Sequence, residues 1–420
     1  RRWAPPWPGL TLAQLGWAQP SSAGLAWLSM APHGAAARRV LQAPELVLAV
    51  GSYSGVVAAR TAWAASRGLV EGLREALPAL LAACPPEVYV LGGESWEPGK
   101  KRVLLSNAER FNPLSSQWEA IAPMPRPRVD CAAAECGGRL YVLGGENIDD
   151  GVLDSVDYFD PASGRWEAAP SMLAARFGGA AAASRGVLYA LGGRGPGNSL
   201  LRASRPSMTE GLPYRTLDSV ERMDLSTGKW EALPPMPAKR EYFGAVARGG
   251  RLYAIGGCND HTFWAMLLSG AAMPGLGCDV LNLETGVWEA LAFRPPLPTA
   301  LRRAHHSAVL AVKTPGAGAS GGAAAYVVGG YADRLQKVDV TERVDLEDGK
   351  WEGMPARAPT AARAKCAAAM SAGCVYVMGG HDGPRYWASG ERLDLATSQW
   401  VPIPSMSTPR AGCAAAAVQR

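Results

Sequence analysis

One short block, an aromatic residue followed by two apolar residues and a glycine pair, recurs six times and narrows the folding of this chain more than any other feature. The copies read EVYVLGGE (Glu87–Glu94), RLYVLGGE (Arg139–Glu146), VLYALGGR (Val187–Arg194), RLYAIGGC (Arg251–Cys258), AAYVVGGY (Ala324–Tyr331) and CVYVMGGH (Cys374–His381). After each comes a strand-like segment of the SVERMDL type and then one of six tryptophans: Trp118, Trp166, Trp230, Trp288, Trp351 or Trp400. A proline-rich turn follows, then an arginine and a run of small residues such as RFGGAAAA. The spacing predicts internal repeats of about fifty residues, each one a supersecondary unit.

The chemistry of each part fits a short strand. Apolar runs of about five residues suit strands buried on one or both faces. A glycine pair closing a strand permits backbone angles and a close approach that a Cβ would forbid. Tryptophan fills the wedge between neighbouring twisted sheets, and alanine-rich segments suit an innermost strand where units crowd an axis. Four short strands at this period make a blade of a β-propeller. The repeat region opens on a second strand, and Arg410–Arg420 is an orphan inner strand. Pairing the two closes a ring of six blades and removes an exposed edge. A seventh blade from the N-terminal segment is the alternative, although that segment has no Gly-Gly.

The Gly-Gly doublet, the tyrosine three residues before it and the tryptophan after it resemble the kelch repeat. The resemblance spans roughly residues 85–420. It implies an all-β, six-bladed propeller whose loops bind another protein.

In antiparallel order, the segment leading into each inner strand and each second-to-third connection share one face. That face carries Arg128, Arg176, Arg240, Arg303, Arg363 and Arg410, with Arg194, Tyr331 and His381 directly after Gly-Gly and Tyr242 nearby. The long insertions 195–216 and 259–275 project there too. A rigid scaffold displaying loops is a binding geometry. One expectation is a basic ring gripping acidic or phosphorylated segments through charge-assisted bonds, as kelch propellers that act as degron receptors do. The other is that these arginines belong to the repeat and are held between blades by Glu109, Glu221, Glu342 and Glu391.

Catalysis and metals find little footing. Five histidines include one adjacent pair, His305–His306, which point to opposite faces of a strand. Position four of the inner strands reads Cys131, Gly179, Phe243, His306, Cys366 and Cys413, which suits small apolar filling of a tapered channel. The eight cysteines show no CxxC spacing, so no metal, cofactor or catalytic residue is expected. Reduced thiols suit the cytoplasm or nucleus. A formal net charge of +5 over 420 residues gives no concentrated basic face for nucleic acid, and no apolar run is long enough to span a membrane. A sugar-ring isomerase, known on related propellers, is the catalytic alternative.

Residues 1–43 read as irregular or as a targeting remnant. Over 44–84, Leu46, Val50, Tyr53 and Val57 recur at helical steps, as do Leu69, Leu73, Leu77 and Leu80. This segment resembles an F-box, which docks on the adaptor of cullin-type ubiquitin ligases; Pro44, Leu46, Leu48 and Tyr53 are the adaptor-binding residues the resemblance implies. Ser54 stands where that motif has leucine, and a plain helical cap is the other reading. The sequence therefore predicts a non-catalytic, protein-binding propeller serving as a ligase substrate receptor, or a kelch scaffold without ligase links.

Overall fold

A computed structural model of the chain describes residues 85–96, 101–196, 214–259, 277–291, 307–312, 323–331, 341–354 and 362–419, with 307–312 described as backbone only. Every element among these residues is a strand. Six four-stranded antiparallel sheets form six blades, numbered 1 to 6 in chain order. Blade 2 is typical: inner strand Ala132–Cys136, second Arg139–Leu143, third Val156–Asp160 and outer Arg165–Ala169. Blade 1 takes its inner strand from the far end of the chain, with Glu87 opposite Val418 and Leu91 opposite Ala414. The inner strands neighbour one another in a closed circle. The expected six-bladed ring and its closure by the last strand are what the structure has. The helical reading of 44–84, with Pro44, Leu46, Leu48 and Tyr53, lies outside the described residues.

Period-2 side-chain alternation explains why the second strands are so apolar. Val88 and Val90 point into a cluster shared with blade 6, including Tyr376 and Met378. Tyr89 and Leu91 point the other way, against Leu140 and Val142 of blade 2. Each core lies between two blades, so each blade buries both faces and none has a private core. The tryptophans span the same gaps. Trp118 Nε1 donates to Pro404 O at 2.7 Å, Trp166 to Ala122 O at 2.8 Å, Trp230 to Pro170 O at 2.8 Å and Trp288 to Pro234 O at 2.9 Å. In each case the acceptor belongs to the preceding blade.

The glycine doublet is a docking point as well as a turn. In blade 2, Gly144 and Gly145 have φ of 59° and 94°. Gly145 N donates to Arg176 O of blade 3 at 2.9 Å. A Cβ on Gly144 would collide with that same carbonyl oxygen. The bond recurs from Gly93 to Arg128 O (2.7 Å), Gly193 to Arg240 O (2.8 Å), Gly330 to Arg363 O (2.9 Å) and Gly380 to Arg410 O (2.8 Å).

Candidate partner-binding face at the channel mouth

Among the described residues, isolated bridges join the lead-in of five inner strands to the residue after a Gly-Gly: Glu94 with Ala411, Val129 with Glu146, Phe177 with Arg194, Glu241 with Cys258 and Ala364 with His381. One face therefore gathers the second-to-third and the outer-to-inner connections around the channel mouth. Blades 1, 2 and 3 extend it with two-stranded ribbons, Glu94–Ser95 with Val103–Leu104, Glu146–Asn147 with Gly151–Val152, and Arg194–Pro196 with Tyr214–Thr216. The third ribbon is the stem of the 195–216 insertion. The bodies of both insertions, with Arg303, lie outside the described residues.

The structure corrects the expectation of a basic ring. Arg128, Arg240 and Arg410 are 0% exposed, Arg176 3% and Arg363 5%. Each guanidinium turns inward into its own blade. Arg128 donates to Gly144 O (2.8 Å), Ser155 O (2.9 Å), Ser155 Oγ (3.0 Å) and Asp157 Oδ2 (2.5 Å). Arg176 binds Gly192 O, Ser219 O, Ser219 Oγ and Glu221; Arg240 binds Gly256 O, Gly277 O and Asp279. Arg363 binds Gly379 O, Ser389 O and Ser389 Oγ and lies 3.5 Å from Glu391, while Arg410 binds Gly92 O, Asn107 O and Glu109. The physical reason is desolvation. A buried guanidinium needs its charge paired, and a carboxylate plus two carbonyls does this at the terminal nitrogens, while Nε of Arg128 and of Arg176 makes no hydrogen bond. The alternative reading of repeat arginines held by carboxylates describes these five, with one amendment: the ion pair lies within a blade. The link between blades is the arginine's carbonyl, which accepts from the preceding Gly-Gly.

Arg194 pairs with Glu241, Nε to Oε2 3.1 Å. Tyr331, His381 and Tyr386 form an arc with Trp96 across blades 5, 6 and 1. Tyr331 and His381 lie 6.1 Å apart edge-on, His381 and Tyr386 stack at 5.6 Å, and Tyr386 and Trp96 lie 6.5 Å apart. All four rings are partly exposed. Tyr386 OH donates to Glu94 Oε1 at 2.9 Å, and Arg102 bonds the same carboxylate. Burial, then Glu94, pushes the Tyr386 phenol well up, so it stays a donor. Tyr386, Trp96 and Arg102 were missed from the sequence, although the aromatics follow Gly-Gly by a few residues in HDGPRYW and ESW.

Inside the mouth, Tyr242 meets Asp130 and Lys365. Lys365 Nζ lies 2.8 Å from Asp130 Oδ2, and Tyr242 OH donates to the same oxygen at 3.1 Å. They cap a cavity of 150 Å³ whose walls include Ala133, Ala181, Ala245, Cys131, Cys366 and Cys413. Burial pushes the Cys131 thiol up to about 11 and Cys413 up to about 12. Protonated thiols are poor metal ligands and poor nucleophiles.

A kelch motif model matches residues 78–125, 127–173, 207–237 and 362–407. Kelch domain-containing protein 10 of Xenopus tropicalis is 27% identical over 208 residues, 47% of this chain and 44% of that protein. The protein of that name from Homo sapiens is 27% identical over 212 residues, 47% of this chain and 41% of its own length. Kelch-like protein 35 of Mus musculus is 37% identical over 76 residues, 18% of this chain and 12% of that protein. The chain thus matches less than half the length of these curated relatives. With the six-bladed ring, these matches define the class: the chain is a kelch-repeat β-propeller. They point to an interaction protein.

Proposed function

We propose that this protein is a substrate-recognition subunit of a cullin-type ubiquitin ligase, with the channel-mouth face holding a partner protein and residues 44–84 docking on the adaptor. The observation that carries the partner-binding half is what the face exposes. Val103 at 54%, Ile148 at 81% and Leu173 at 62% are large apolar side chains in water on connections of adjacent blades, and the aromatic arc adds four partly exposed rings on blades 5, 6 and 1. Exposed apolar groups rimmed by charge mark protein contacts, and aromatic residues are favoured anchors there. An acidic or phosphorylated partner is not part of the proposal, because the guanidiniums that would grip it are already bonded. The adaptor half rests on the F-box-like residues Pro44, Leu46, Leu48 and Tyr53.

Proximity labelling in cells with the full chain and with an Ile148→Asp/Tyr386→Ala variant tests the first half. Partners that label with both chains equally would remove the face from consideration. Co-precipitation of the full chain with the cullin adaptor, with and without Leu46→Asp, tests the second. An adaptor that fails to co-precipitate with the unaltered chain leaves a kelch scaffold without ligase links.

A further inference from the structure

One constellation at the mouth is not required by the repeat. Among the described residues, the residue two after the inner-strand arginine takes part, in five blades, in a belt of main-chain bonds around the axis. Gly412 N donates to Lys365 O (2.9 Å), Asp130 N to Gly412 O (2.8 Å), Gly178 N to Asp130 O (2.8 Å) and Tyr242 N to Gly178 O (2.7 Å). These belt residues have left-handed backbones. Blades 1 and 3 use glycine, Gly412 at φ 61° and Gly178 at 59°. Blades 2, 4 and 6 hold Asp130 at 52°, Tyr242 at 51° and Lys365 at 53°. A non-glycine residue there is strained, and such strain concentrates at functional sites. Glycine satisfies the belt, so these three side chains are kept for something else, and all three meet at one point.

Their arrangement is a cation box. Asp130 supplies a carboxylate and Tyr242 an aromatic face, with the Tyr242 hydroxyl bonded to the carboxylate oxygen. The occupant is the protein's own lysine: Lys365 Nζ is 2.8 Å from Asp130 Oδ2 and 5.2 Å from the centroid of the Tyr242 ring. Burial opposes the ammonium charge, but Asp130 and then Glu94 favour it and keep Lys365 charged. Asp130 holds Lys365 directly, whereas Glu94 is already bonded by Arg102 and Tyr386. An incoming cation need only take the place of Lys365, which keeps Glu94 within electrostatic reach.

We propose that the Asp130–Tyr242 box receives an ammonium or guanidinium side chain from the bound partner, with Lys365 as the internal occupant it displaces. The proposal rests on the reading that a partner sits on this face, and it adds that the inserted residue is lysine or arginine. Such a residue would exchange one carboxylate and ring contact for another of the same kind.

The test removes the internal occupant from the full chain with Lys365→Met, which leaves the belt's main-chain bonds and backbone angle in place. Nα-acetyl-arginine methylamide is titrated calorimetrically against unaltered and variant protein, with the citrulline and glutamate analogues alongside. The expected result is binding at least ten-fold tighter to Lys365→Met, for the arginine probe only, with the gain abolished by adding Asp130→Asn. Equal affinity of the two proteins for the arginine probe, or a gain shared by citrulline, overturns the proposal. Glutamate binding to the unaltered protein that is lost in Lys365→Met also overturns it while leaving the face in place. Should Lys365→Met fail to fold, the unaltered protein decides: saturating arginine probe must shift the NMR signals of the Tyr242 ring, and no shift rejects the idea. Labelling lost in Ile148→Asp/Tyr386→Ala but unchanged in Asp130→Asn rejects the box alone.

Discussion

Replacing Arg128 with methionine separates a scaffold arginine from a binding one. The side chain is fully buried. Its loss strands Asp157, two main-chain carbonyls and the Ser155 hydroxyl. Removing one partner of a buried ion pair costs about 3–5 kcal/mol. The stranded acceptors overlap with that figure, because local relaxation and water entry serve all of them at once, so about 4 kcal/mol is a fair expectation. With a urea slope on the order of 3 kcal/mol per molar, the unfolding midpoint falls by roughly 1.3 M. Urea titration of the unaltered protein, Arg128→Met, Asp157→Leu and the double variant, followed by tryptophan fluorescence, reads this directly. The double variant removes both charges but leaves the two carbonyls and the Ser155 hydroxyl without Arg128, so it should recover about half the loss. The reasoning fails if Arg128→Met unfolds within about 0.3 M of the unaltered protein, a shift of about 1 kcal/mol at that slope. An arginine that costs so little to remove was in contact with water, and the basic-ring expectation would return.

Three further outcomes follow from the same contacts. Gly144→Ala strains a left-handed backbone and collides with the Arg176 carbonyl, so it should cost about 3 kcal/mol or more, whereas Gly164→Ala, with open space around it, costs about 1 kcal/mol; paired urea titrations check the difference. Trp166→Phe keeps a ring in the gap but loses the bond to Ala122 O, and its melting temperature should reflect a loss of about 1 kcal/mol. Cys131 and Cys413, at about 11 and about 12, should resist iodoacetamide at pH 8 until urea unfolds the ring. Because their folded pKa values lie above the unfolded value, their stabilising contribution is intact below about pH 8.5 and declines as pH rises toward 11 and 12, which urea midpoints at pH 8 and 10 would show.

The fold was legible because its determinants are local and repeated. Tyrosine, Gly-Gly and tryptophan each do one mechanical task per blade, and the orphan strand at Arg410–Arg420 announced the closure. The role of the arginines was legible in principle. Every third strand carries an acid at its second position, Glu109, Asp157, Glu221, Asp279, Glu342 and Glu391. The sequence repeats an acid and an arginine in all six blades, and in the five blades whose arginine is described the two meet in a socket. Reading only the glutamates left Asp157 and Asp279 unseen and kept a surface role for the arginines open. The cation box was not legible. Asp130, Tyr242 and Lys365 lie up to 235 residues apart, and nothing local marks them except that Gly178 and Gly412 occupy the equivalent places.

That equivalence bears on how such a ring changes partners. The arginine socket and the Gly-Gly dock bond through groups that every blade must supply, so substitution there costs the fold. The belt asks only for a backbone angle, and the residue after Gly-Gly pairs through main-chain N–H and C=O. Among the described residues, side chains at these two positions do not contribute to the main-chain bonds that close the ring. Their identities differ from blade to blade, as Glu94, Glu146, Arg194, Cys258, Tyr331 and His381 show. Stability and recognition are thereby separated at single-residue resolution, with the buried arginine and the belt residue only two positions apart. A mouth variant and a socket variant in the same lead-in, Asp130→Asn and Arg128→Met, should therefore divide cleanly, the first altering what is bound and the second how firmly the blade is held.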